Sequence, residues 1–188
     1  MAAFLAASPA FAQVVTDTGG TAAVTVPFSY IAQLAKAGVV EVPLPPATVT
    51  VDKSAQTVTT TFPVTGGNAD VGTLSGVVEV GGTLKIFSRC GKHIRRVTLT
   101  DIAVSIDATA IVATPKGSTT QLPLLDIGGD VVITGTTPGS TSQSLTASEL
   151  TVDPVGAAYL NSALHTNAFQ AGAVAGSLDA AWTVSVSS

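Results

Sequence analysis

The chain has 188 residues, of which 46% are hydrophobic and only 11% charged, with a net charge of −4. Such a composition excludes a disordered chain, which combines low hydrophobicity with high charge. The acidic balance argues against nucleic acid as a partner. The length suits one domain with ample material for a core. Most of the remaining polarity comes from Thr and Ser, which solvate the exposed faces of strands.

The N-terminus, Met1 to Gln13, is apolar and ends in Ala10-Phe11-Ala12 before Gln13. This small-x-small pattern is the one signal peptidase cuts, so residues 1–12 read as a signal peptide, lacking the usual basic start. The fold is then expected over residues 13–188, outside the cell or at its surface. The single Cys90 allows no internal disulfide. No other stretch approaches the length of a membrane span, so no transmembrane segment is expected.

Pro27 to Gly38 places Pro at a first helical turn and Gly at the end, with apolar residues at 28, 31, 34 and 35. A short helix over about 27–37 follows. From there most of the chain alternates with a period of two. Ala47–Val51 and Thr57–Phe62 put apolar groups on one face and hydroxyls on the other. Gly72–Val80 and Gly82–Phe87 look like consecutive strands, joined or bent at Gly81-Gly82. Turn signals recur at Gly66-Gly67-Asn68, Pro115-Lys116-Gly117, Gly128-Gly129-Asp130 and Pro138-Gly139. Short alternating runs between such turns predict an all-β fold, here an antiparallel β-sandwich.

The run Val97–Ile106 changes phase: apolar residues stand at 97 and 99, then at 102, 104 and 106. A continuous strand would send the two groups to opposite faces, which predicts a bulge or break near Thr100-Asp101. One segment could then serve two sheets. Asp153-Pro154 opens a second helix over about 154–164, with Asp153 as N-cap, Pro154 at N1, and Val155, Ala158 and Tyr159 inward. Gly176–Val186 reads as a closing strand.

No arrangement points to an enzyme. There are two histidines, His93 and His165, and no Gly-x-Ser-x-Gly elbow. The twelve acidic residues are scattered, without the facing carboxylate pair of a glycosidase. Cys90-Gly91-Lys92-His93 is half of a zinc motif without a second Cys. The basic residues, in contrast, are concentrated: Lys85, Arg89, Lys92, Arg95 and Arg96 are five of the chain's eight within twelve positions. Such a cluster either attracts an anionic group or keeps an edge strand soluble.

In order along the chain come Phe28-Ser29-Tyr30-Ile31, a Gly-x-Val-x-Val segment at 76–80, Leu99-Thr100 with Val104 and Ile106, Leu150-Thr151, Gly156-Ala157-Ala158, and Phe169-x-Ala171-Gly172. This layout resembles the HtaA-type domain, a secreted haem-binding β module of actinobacterial surfaces, over roughly residues 24–186. The resemblance implies Tyr30 as the axial oxygen ligand of a ferric haem iron. A phenolate is a hard anionic donor suited to that metal. In the family a His follows the Gly-x-Val-x-Val segment in a Gly-His-Gly turn. Here that turn reads Gly81-Gly82-Thr83, and His93 is the nearest candidate by order. Phe28 and Ile31 would line an apolar slot, and Arg89 or Lys92 would meet propionates.

The expectation is therefore a secreted or cell-surface module for haem or another small anionic apolar ligand, with a cell-envelope partner. The competing expectation is a structural or adhesive surface domain with no small-molecule site. If residues 1–12 are a signal peptide, the secreted protein begins at Gln13, which N-terminal sequencing of secreted material checks.

Overall fold

The computed structural model describes residues 14–135 and 141–187, so the expected signal peptide and the turn at Pro138-Gly139 lie outside the described residues. In chain order the elements are β1 (Val14–Pro27), α1 (Phe28–Lys36), β2 (Val39–Leu44), β3 (Thr48–Asp52), β4 (Thr57–Gly67), β5 (Val77–Val80) and β6 (Thr83–Cys90). They continue with β7 (His93–Ser105), β8 (Ala110–Pro115), β9 (Leu122–Thr134), β10 (Ser142–Val152), α2 (Pro154–Leu164) and β11 (Val174–Ser187).

Every strand pairing is antiparallel, and the sheet closes on itself. The ladder runs β7-β5-β4-β1-β11-β10-β9-β8 and returns from β8 to β7, an eight-stranded barrel. β2 and β6 extend from one side of β7, and β3 hangs from β4. The expected open β-sandwich is thus corrected to a closed barrel. Inward-facing residues alternate with outward ones along the strands of both architectures. What separates them is the pairing of Leu99–Ser105 with Ala110–Pro115, which removes the two free edges a sandwich would keep.

The phase change in β7 is a bulge, as the apolar pattern requires. The register against β8 shifts between Thr100 and Ala103, and Asp101 takes φ 49°. The extra residue brings Leu99 and the group Ile102, Val104 and Ile106 into one core, all of them buried. It also divides the strand: residues 93–99 pair with β6, residues 103–105 with β5.

Gly72–Gly76 does not extend β5 as the sequence suggests. Residues 68–76 form a loop tied by Asp70 and Ser75, whose amides and carbonyls bond to each other, and by the Asp70 side chain to Gly72 and Thr73. The loop closes one end of the barrel. Ala69 and Val71 are buried there, their amides donating to Asp17 Oδ2 and Gln143 Oε1 at 3.2 Å each. The Asp17 carboxyl lies so close to Gly67 that an added Cβ would collide with it, and Gly67 has φ 126° besides. Glycine is the residue that fits this approach.

Both helices form where the sequence places them, with shifted faces. α1 begins after Pro27, and it buries Tyr30 and Leu34 while Ile31 stays 38% exposed. In α2 the Asp153 carboxylate accepts from the amides of Val155 (2.6 Å) and Gly156 (3.0 Å), as an N-cap should. The buried side is Gly156, Ala157, Leu160 and Leu164; Val155 and Ala158 are exposed and Tyr159 is half-buried. Gly156 sits against the backbone of Pro123 and Leu124, where no larger residue would fit.

Loss of the cap leaves two amides without their acceptor, so Asp153→Ala is expected to cost about 1 kcal/mol and Asp153→Asn a fraction of that. Urea denaturation of the two variants checks it.

Candidate functional site

The barrel wall contains a short strand, and the candidate site lies where that strand ends. β5 has four residues and joins only the C-terminal halves of β4 and β7. The N-terminal halves of these neighbours part and take other partners: residues 57–61 of β4 pair with β3, and residues 93–99 of β7 pair with β6, which in turn carries β2. The wall is split between β3-β4 on one side and β2-β6-β7 on the other. α1 lies over the split.

Two adjoining hollows occupy this region. The inner one, about 110 Å³, reaches into the barrel between Val24, Phe62, Leu99, Ile102 and Leu178 and is roofed by Tyr30 and by Leu160 of α2. The outer one is a groove of about 250 Å³ between Ile31 and Leu34 of α1, Val40 of β2, Val49 of β3 and Val58 of β4. Val26, Glu41, Phe62 and Leu84 line both. The apolar walls make this the natural place for a ligand: binding sites are mostly hydrophobic hollows with a few convergent polar groups.

Here the polar groups are few indeed. Among the residues lining the inner hollow, Tyr30 and Glu41 are the only ones with an ionisable side chain. Tyr30 is 8% exposed, and its hydroxyl makes no protein hydrogen bond among the described residues. Burial pushes the phenol above its ordinary range, and the negative charge of Glu41 pushes it further the same way. Glu41 is opposite Ile86 in the ladder, and Ile86 is buried, so the carboxylate is on the inner face of β2. Glu41 is itself exposed while lining both hollows, and the protein packed around it raises its pKa to about 7.

The residues expected from the sequence fall into two places. Tyr30 lines the inner hollow and Ile31 the groove. Phe28 starts α1, half-buried, with its amide donating to the Gln56 carbonyl at 2.8 Å, and it lines neither hollow. His93, Arg89 and Lys92 are exposed at the β6–β7 hairpin. His93 pairs with Cys90, four residues along β6 from Ile86, the partner of Glu41. That is about 13 Å of ladder at ~3.3 Å per residue. Arg89 is bonded through its amide to the Gly38 carbonyl at 2.9 Å, just past the end of α1. β6 is flanked by β2 and β7, so the basic cluster does not mark a sheet edge.

The turn Gly81-Gly82 is packed too tightly for a side chain. A Cβ on Gly82 would meet the Phe62 ring at 3.1 Å and Ala47 at 3.3 Å, and one on Gly81 would meet Thr65 at 2.8 Å. Gly82 also has φ 133°. A histidine at this point of the chain has no room. Among the described residues no three of His, Cys, Asp and Glu gather as a metal cluster.

Glu41 went unnoticed in the sequence reading, although a signal was present. In Val39-Val40-Glu41-Val42 the carboxylate shares the parity of Val39, which is 1% exposed. A charge on the apolar parity of a strand is a candidate functional residue.

Asp17, 3% exposed, lies at about 6, above its ordinary value of 3.8, chiefly through burial. The native state therefore holds more protons than the unfolded state between those limits, and stability falls as pH rises through them. Thermal denaturation is expected to give a higher Tm at pH 5 than at pH 8. Asp17→Asn should raise the Tm at pH 8 and change it little near pH 4.

No family model matches the sequence, and no curated protein matches it. Among solved structures, the C-terminal domain of HtaA from Corynebacterium glutamicum superposes with a TM-score of 0.59 at 13% identity, covering 91% of this chain and 99% of that one. At that identity the likeness is one of fold, and no helix among the described residues is long and apolar enough to cross a membrane. The chain shares the fold of an HtaA domain.

Proposed function

We propose that the protein is a secreted or cell-surface module that binds haem in the split of the barrel wall, with Tyr30 as the axial oxygen donor. The observation that carries this reading is the Tyr30 hydroxyl, the one hydroxyl lining the inner hollow, held without a protein partner among apolar side chains. The residues fit the group. The inner hollow is smaller than the ~150 Å³ cavity that accepts benzene, so a macrocycle would occupy the groove and only its edge or centre would face Tyr30. Leu34, Val40 and Val58 would cover its faces, and the exposed Arg89 and Lys92 at the hairpin would supply cations for anionic groups reaching solvent.

Iron, when bound, supplies the positive charge that makes a phenolate favourable. The chain must let the proton go. Tyr30 is a phenol at neutral pH in this environment, so binding would release its proton to solution, and the exposed Glu41, lining the same hollow, is a carboxylate able to pass it on to solvent. Burial of a phenolate without a cation would be costly, which keeps the ligand-free site neutral at Tyr30.

Purified protein titrated with hemin is expected to give a Tyr-ligated ferric absorption spectrum. Tyr30→Phe should abolish that spectrum while leaving the circular dichroism unchanged. Because binding releases a proton, wild-type affinity should rise from pH 6 to pH 8. An unchanged spectrum in Tyr30→Phe removes Tyr30 from the role, and no hemin binding at all favours a structural or adhesive domain.

A further inference from the structure

We propose that the outer face of the β6–β7 hairpin docks the protein onto a membrane surface rich in anionic lipid. The inference stands apart from what the groove binds, because it concerns the face of these strands turned away from the hollows.

Charge segregation comes first. The stretch Thr83–Leu99 holds Lys85, Arg89, Lys92, Arg95 and Arg96 and no acidic residue, which leaves three basic residues against all twelve acidic ones in the rest of the chain. None of the five makes an ion pair or a side-chain hydrogen bond among the described residues. β6 is paired on both sides, so Lys85 and Arg89 do not serve to guard a sheet edge. Placement comes second. Ile86 and Ser88 of β6 and Val97 and Leu99 of β7 are buried, so the alternate positions Lys85, Phe87 and Arg89, with Ile94 and Arg96, stand on the outer face. Phe87 is opposite Arg96 and Arg89 opposite Ile94, which interleaves basic and apolar side chains across the two strands. Lys85 to Arg89 is about 13 Å of strand at ~3.3 Å per residue. That is the scale of a Debye length, about 10 Å at 0.1 M salt, so the cations act on a charged plane together. Ile94, near the tip, is 73% exposed, the most exposed large hydrophobic among the described residues. A soluble polyanion would engage the cations and leave Ile94 in water. An anionic bilayer takes both, the charges at its headgroups and the aliphatic side chain beneath them. The acidic remainder of the chain is repelled by the same surface, so this face is the one that approaches it.

The test is co-sedimentation of the full chain with vesicles of phosphatidylcholine alone and of phosphatidylcholine mixed with phosphatidylglycerol. Wild-type protein is expected to bind the anionic vesicles about tenfold or more tightly than the neutral ones. Raising NaCl from about 0.1 to about 0.5 M should weaken that binding about tenfold. The double substitution Lys85→Gln and Arg96→Gln should weaken it by about tenfold or more, and Ile94→Ser, which leaves every charge in place, by about fivefold. If the double variant does not fold, the salt series and Ile94→Ser carry the test. Equal binding to the two kinds of vesicle, or binding to neither, overturns the inference. So does unchanged vesicle binding by Ile94→Ser together with equally tight binding of soluble polyphosphate, which assigns the face to an anionic polymer instead. Hemin titration of Ile94→Ser should match the wild type, so the membrane reading and the Tyr30 reading fail separately.

Discussion

The length of β5 governs the rest of the molecule. Four residues are enough to bond the C-terminal halves of β4 and β7 and so to complete the ring of eight strands. They are too few to continue alongside the N-terminal halves of those neighbours, which would otherwise present bare edges to water. Each half answers with a strand from outside the ring, β3 on β4 and β6 with β2 on β7. A gap in the wall results, and the interior behind it is apolar. α1 follows directly from β1 and lies across that gap, placing Tyr30 and Leu34 against the interior. A longer β5 would close the wall and leave no hollow.

The opposite end of the barrel is built to different rules. There the loop 68–76 is locked by bonds from its backbone to buried polar side chains, Asp17 and Gln143. Oδ1 of Asp17 and the indole nitrogen of Trp182 are buried without a hydrogen-bond partner among the described residues. Polar groups at the plugged end thus hold the chain in place, whereas those at the split end face open space. The contrast sets apart two carboxyls with raised pKa values: Asp17 is buried and accepts a backbone hydrogen bond, whereas Glu41 is exposed and accepts none among the described residues.

Local features of the fold were legible where one residue type leaves the chain little choice. Pro27 and Gly38 bracket α1, Asp153-Pro154 starts α2, and the apolar phase change in β7 marks the bulge at Asp101. Closure was not legible, because the alternation of Val97, Leu99 and Val104 is the same whether the facing layer is a second sheet or the far wall of a barrel. Gly72–Gly76 alternates like a strand, yet Asp70, Thr73 and Ser75 satisfy one another locally and turn the chain away. For the site, Tyr30 was found through a resemblance of pattern. His93 was chosen by order along the chain, and strand length then carries it to the hairpin. Glu41 needed knowledge of which face of β2 points inward, and that face is set by the pairing with Ile86.

Of the three strands added outside the ring, β2 and β3 are left as the free rims of the sheet. Among the described residues β2 bonds only to β6 and β3 only to β4, so each carries one row of main-chain donors and acceptors outside the ladder. Both rims border the groove, through Val40 and Pro43 on one side and Val49 on the other. Displacing either rim would break only the β2–β6 or β3–β4 pairing and leave all eight ladders of the ring intact. A guest larger than the resting groove would strain the doorposts and spare the house.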